Sequence, residues 1–142
     1  MSSLCFIATC GGNIRTDSDM DSNAVQFISS PNYPNSYPAN TKCVWNIIGP
    51  FARDFVVQFL HFDTEDGYDT VQISGNFRNG GFARSLSGSL SSLEQTSFRF
   101  NENARLEFTS DTSFQGQGFQ AIVRYGKYFE FTSRYTFPRT KV

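Results

Sequence analysis

The chain has 142 residues and a formal net charge of −1, from 12 Lys and Arg against 13 Asp and Glu. That length suits one domain with a real core plus tails, whereas two domains would each bury too little surface without several disulfides. The near-neutral balance supplies no broad basic field for a phosphate backbone, and no apolar run is long enough to span a bilayer, so nucleic acid and a membrane span are excluded as partners.

The load of 16 Phe and 6 Tyr favours pleated surfaces, on which aromatic side chains pack well. MSSLCFIATC, at residues 1–10, contains a short apolar stretch without the basic flank of a signal peptide. Residues 11–24, GGNIRTDSDMDSNA, are glycine-rich and acidic and predict an irregular segment. VQFISS is a strand candidate. Ser30 to Asn40 carries three prolines and three asparagines, which predicts a stiff turn-and-loop segment because each proline fixes φ and restricts its predecessor.

From Cys43 the pattern turns sheet-like. Cys43, Trp45 and Ile47 alternate with less apolar residues, as do Phe55, Val57 and Phe59, then Val71 and Ile73. Phe98 and Phe100, Leu106 and Phe108, and Phe119, Ala121 and Val123 repeat the period of two that marks half-buried strands. Turn signals stand between them at Asp66-Gly67, Asn79-Gly80-Gly81, Asn101 to Asn103 and Gly116 to Gly118. Asn76 to Gly81 predicts a hairpin closure, and residues 83–97 predict a loop, since Gly88 and six serines outweigh the spacing of Leu86, Leu90 and Leu93. Many short strands divided by turns predict an all-β, two-sheet antiparallel sandwich. The last segment, residues 126–142, is aromatic and basic, and reads equally well as an added strand or a linker.

Catalytic chemistry finds little support. The single histidine, His61, has no partner for a dyad, no G-x-S-x-G occurs, and Asp63, Glu65, Asp66 and Asp69 read as turn chemistry before they read as paired catalytic carboxylates. The three cysteines, Cys5, Cys10 and Cys43, allow at most one intrachain disulfide, and with one histidine they argue against zinc. Arg78, Arg84, Arg99, Arg105 and Arg124 are scattered, though some share one face if Arg99 and Arg105 lie on neighbouring strands; they read as a sulfated-glycan site or as a solvated sheet face. No N-x-[ST] acceptor is present.

Separated motifs then fall in a known order. Cys10-Gly11-Gly12 precedes Ser30-Pro31-Asn32-Tyr33-Pro34, Tyr37-Pro38 and Cys43-Val44-Trp45-Asn46-Ile47. Phe59 to Glu65, Tyr68 to Ile73, Phe108-Thr109-Ser110-Asp111 and Gly118-Phe119-Gln120-Ala121 follow. Residues 10–125 resemble a CUB domain, leaving 1–9 as a tail or linker and 126–142 as an extension. The resemblance implies a jelly-roll-like sandwich, non-catalytic and extracellular, working inside a larger secreted protein through protein or glycan contacts. It also implies a Cys10–Cys43 disulfide; Cys5 lies outside the resembling region and reads as a free thiol or as paired with a neighbouring module or another chain. A second disulfide found in many members has no counterpart, because no cysteine follows Cys43.

In calcium-binding members of that family the ion is held by a Glu and two Asp residues, matched here by Glu65, Asp69 and Asp111. Calcium is a hard cation that takes oxygen ligands, and backbone carbonyls at Thr112 or Ser113 are available to add to three carboxylates. An Asn often stands three residues beyond the last aspartate, where this chain has Phe114. The resemblance further implies that an extracellular partner presents a basic side chain to Glu65, Asp69 and Asp111, with Tyr33 and Phe114 as flanking contacts. A solvated, turn-rich rim is the alternative reading of the same carboxylates. The functional alternatives are a recognition appendage of a larger secreted protease, a glycan-binding module and a structural spacer.

Overall fold

The computed structural model describes residues 10–15, 25–49, 54–78 and 80–125. Among the described residues nine strands run in chain order: β1 Gly12–Arg15, β2 Val25–Ser29, β3 Lys42–Ile48, β4 Phe55–Asp63, β5 Thr70–Phe77, β6 Gly80–Leu86, β7 Ser97–Phe100, β8 Asn103–Thr109 and β9 Gly118–Tyr125. They form a five-stranded sheet in the order β1-β3-β8-β5-β6 and a four-stranded sheet in the order β2-β9-β4-β7. All pairings are antiparallel except β1 with β3, which is parallel.

The period of two in the sequence is the period of the core. Cys43, Trp45 and Ile47 face inward from β3, Ala104, Leu106 and Phe108 from β8, and Val71 and Ile73 from β5. Phe55, Val57 and Phe59 of β4, Phe98 and Phe100 of β7, and Phe119, Ala121 and Val123 of β9 meet them from the other sheet. Phe119 sits among Trp45, Phe59 and Phe108 in edge-on contacts, with ring centroids 5.5 to 5.8 Å apart. Such pairs add about 0.5–1.5 kcal/mol each beyond area burial. The register of β4 against β9 shifts between Phe59 and His61, which puts Leu60 half in solvent and returns Phe62 to the core.

Cys10 and Cys43 are joined across 33 residues, which on a chain-entropy view contributes roughly 4 kcal/mol. The segment expected to be irregular from Gly11 to Ala24 therefore starts as a strand. The disulfide lays residues 12–15 alongside β3, and Ile14 packs against the core cluster. The loop expected over residues 83–97 is also shorter than the composition suggests. Ala83 to Leu86 complete β6, and a helical turn, α1 (Leu93–Thr96), follows, with the Ser92 hydroxyl accepting from the Gln95 N–H at 3.3 Å. Edge-strand pairing outweighed a serine-rich composition. The Asn76–Gly81 hairpin is present, with Phe77 opposite Gly80 and Arg78 at φ +58°. Arg99 and Arg105 lie on different sheets, so the shared arginine face does not form. Cys5, the tail 1–9 and the extension 126–142 lie outside the described residues. Among those described, no helix is long and apolar enough to cross a membrane.

Candidate metal and partner site

Three connections gather at one end of the sandwich: the β2–β3 loop, the β4–β5 loop and the β8–β9 loop. The β4–β5 loop is built on Thr64 and Glu65. Tyr68 N–H and Asp69 N–H both donate to the Glu65 carbonyl, at 3.2 and 3.0 Å, closing a tight turn. The Thr64 hydroxyl donates to the Asp69 carbonyl at 2.8 Å and accepts from Gly88 N–H at 3.1 Å, which ties the turn to the chain after β6.

Asp69 is fully buried and is held from two sides. The Tyr37 hydroxyl donates to its Oδ2 at 2.6 Å, and the Asp111 N–H donates to its Oδ1 at 2.8 Å. Tyr37 also accepts from Glu65 N–H at 3.2 Å, so this one phenol touches both acidic segments. Burial first, then the Asp69 carboxylate beside it, pushes the Tyr37 hydroxyl up to about 12, so it remains a donor at any ordinary pH. The β2–β3 loop closes the frame: Asn40 N–H donates to the Asp111 carbonyl at 2.8 Å, and the Ser110 hydroxyl donates to the Pro38 carbonyl at 2.8 Å.

Glu65, Asp69 and Asp111 thereby converge, each offering a carboxylate oxygen, with those oxygens all within 4.8 Å of one another. Asp111 Oδ1 accepts from Ser113 N–H at 3.1 Å, whereas Glu65 Oε1 is shielded from solvent and has no hydrogen-bond partner. Burial first, then the charges of Asp111 and Asp69, holds the Glu65 carboxyl above the ordinary carboxylate range. An unpartnered anionic oxygen beside two further carboxylates is a donor set for a hard cation. The residues present fit calcium.

The flanking residues separate. Phe114 is 76 % exposed with φ +58°, and Tyr68 is 68 % exposed on the neighbouring loop. Tyr33 stands against His61, with ring centroids 5.6 Å apart. The tyrosine that reaches the carboxylates is Tyr37, whose role the sequence reading missed. The Tyr37-Pro38 pair carried no distinguishing signal, since Tyr33-Pro34 repeats it in the same loop.

The family model described as "CUB domain" matches residues 10–123. The dorsal-ventral patterning protein tolloid of Drosophila melanogaster is 32 % identical over 123 residues, covering 83 % of this chain and 11 % of that protein. Cubilin of Rattus norvegicus is 36 % identical over 129 residues, covering 84 % of this chain and 3 % of its own length. The chain thus spans a small fraction of these relatives. Among solved structures, the MASP-1 CUB2 domain bound to Ca2+ superposes with a TM-score of 0.63 at 22 % identity, covering 82 % of this chain and 99 % of that one. That likeness is one of fold, and it gives the two sheets described above their jelly-roll character. The motif order, the sandwich and the family match agree, and the chain belongs to the CUB domain family.

Proposed function

We propose that this domain is a non-catalytic extracellular recognition module whose end loops are ordered by calcium on Glu65, Asp69 and Asp111. One observation carries the reading: three carboxylates each bring an oxygen within 4.8 Å of the others, and one of their oxygens is shielded and unpartnered. Charges of one sign this close repel, and a bound divalent ion turns that repulsion into attraction. Asp69, gripped by Tyr37 and Asp111 N–H, is the fixed ligand. Glu65 is the ligand that gains most, since it has least to lose. The backbone carbonyls of Thr112 or Ser113 supply neutral oxygens. The chemistry such an ion would supply is electrostatic, with Glu65 and Asp69 holding it from the β4–β5 loop and Asp111 from the β8–β9 loop.

Loops fixed in this way present carboxylate oxygens to a cationic side chain at little reorganisation cost, which suits a lysine or arginine of an extracellular protein partner. Phe114 and Tyr68 add exposed aromatic surface beside that charge. Tyr33 contributes from the β2–β3 loop. As the chain spans a small part of its relatives, we read it as one module of a longer secreted protein, in which the same site would serve adhesion or the capture of a protease substrate.

Calcium titration by calorimetry, paired with thermal melts in calcium and in chelator, tests the site. Heat of binding and a raised Tm are expected, and neither being seen sinks the reading. A displayed peptide library, bound in calcium and released by chelator, should enrich lysine and arginine; an unbiased or acidic pool removes the partner assignment.

A further inference from the structure

The outward face of the five-stranded sheet holds a groove that the acidic end does not use. It has a volume of about 460 Å3; Asn46, Ser74, Asn76, Asn103 and Arg105 line it together with apolar groups of Ile47, Ile48 and Ala104. Sites for small ligands run from about 300 to 1,000 Å3. Strand register explains the lining. Asn13 stands opposite Asn46, Asn46 opposite Arg105, and Arg105 opposite Ser74, so one polar row crosses β1, β3, β8 and β5. The next row sets Glu107 between Val44 and Gln72. A second hollow of about 270 Å3 shares Ser74 and Arg105 and continues past Gln72 and Ser85 towards β6.

The chemistry of this face is specific. Amide side chains offer donor and acceptor together, the pairing that adjacent sugar hydroxyls require. Arg105 bonds Glu107 through Nη2 at 3.0 Å, and Lys42 reaches the same oxygen at 3.3 Å. Glu107 thus steadies a guanidinium that carries five N–H donors and remains about half exposed. Arg15, at the sheet edge, shares the outward face opposite Ile48. At the outward strand positions Arg15, Lys42 and Arg105 stand against the carboxylate of Glu107, and Arg84 lines the second hollow, so the face is net cationic. That is enough to favour an anionic group at the groove but too little for a nucleic-acid backbone.

We propose that this groove binds an acidic oligosaccharide, with its uronate or sulfate group on Arg105 and its hydroxyls on Asn46, Ser74 and Asn103. The site is independent of the calcium reading, so its test is run in chelator. The full chain is titrated by calorimetry with a heparin-derived hexasaccharide, a hyaluronan hexasaccharide and chitohexaose. One or both acidic sugars should bind and neutral chitohexaose should not; binding of hyaluronan assigns the uronate, and of heparin alone the sulfate. Arg105→Ala should weaken binding at least tenfold and Ser74→Trp should abolish it by filling the groove, whereas Arg99→Ala, on the other sheet, should leave it unchanged. Arg105 is exposed, so that variant keeps the test valid even where Ser74→Trp does not fold. No binding of either acidic sugar, equal binding of chitohexaose, or loss of affinity in Arg99→Ala equal to that in Arg105→Ala overturns the proposal.

Discussion

Two glutamates, one on the central strand of the five-stranded sheet and one in the loop that leads into β5, have opposite fates. Glu107, on β8, receives Arg105 and Lys42, and those hydrogen bonds hold its carboxyl below the ordinary carboxylate range. Glu65, in the β4–β5 loop, meets Asp111 and Asp69 instead, and burial together with their charges holds it above that range. One carboxylate is neutralised by cations of its own chain; the other stands beside two further carboxylates. On the calcium reading proposed above, that contrast makes the end loops, and not the sheet, depend on an ion.

The largest expected effect comes from Asp69→Ala. It leaves the Tyr37 hydroxyl and the Asp111 N–H without their acceptor in a buried place. Two orphaned donors should cost about 3 kcal/mol in chemical denaturation, together with complete loss of calcium binding. A loss below about 1 kcal/mol would show that the frame is held elsewhere. Next in size is calcium itself. At 100 times its Kd the ion adds about 2.7 kcal/mol, a rise in Tm of roughly 10 °C for a domain of this size, read by calorimetric melting against chelator.

Much of this comparison was legible in the residues. The alternation of Phe55, Val57 and Phe59 with the runs around Leu106 and Phe119 specified which faces are buried, because side-chain period and sheet geometry are one property. Glu65, Asp69 and Asp111 could be singled out because a motif order placed them. What stayed hidden depends on distance across the fold. Tyr37 joins Asp69 over 32 residues, and nothing local in a proline-rich loop says which phenol turns inward and which, like Tyr33, packs on a histidine. β1 was hidden for the same reason: Gly12 to Arg15 have no strand composition and are held by the disulfide and by β3.

Exchanging the glutamates one at a time sharpens the contrast. Glu65→Gln should weaken calcium about tenfold or more while raising the Tm of the metal-free protein, since a repelling charge is gone. Glu107→Gln should leave calcium unaffected and lower stability by up to about 0.5 kcal/mol, the scale of an exposed ion pair. The pH dependence separates them too. Glu65 holds its proton more tightly folded than unfolded, so metal-free stability rises as pH falls from neutral through its raised pKa, while calcium affinity falls over that window. Glu107 behaves in the opposite sense: its stabilisation is present above the ordinary carboxylate pKa and is lost as pH falls through its lowered value. Melts with and without calcium across the acidic range read both signs, and parallel curves would mean that the two glutamates do not differ.

The smallest effect tests the rim of the site. Phe114 has φ +58°, a left-handed conformation that bulky side chains rarely adopt, and its ring is 76 % exposed, so no burial compensates. Asn tolerates that conformation because its short amide bonds locally, so Phe114→Asn should stabilise the metal-free domain by about 1 kcal/mol. The new carbonyl oxygen, three residues past Asp111, should also tighten calcium, since one more neutral ligand adds to three carboxylates. Partner binding should move the other way, as an exposed aromatic contact is lost. Tighter calcium with weaker partner binding would mean that Phe114 trades ion affinity for recognition. A variant that gains neither stability nor calcium affinity places the residue outside the site and leaves the β8–β9 loop to Asp111 alone.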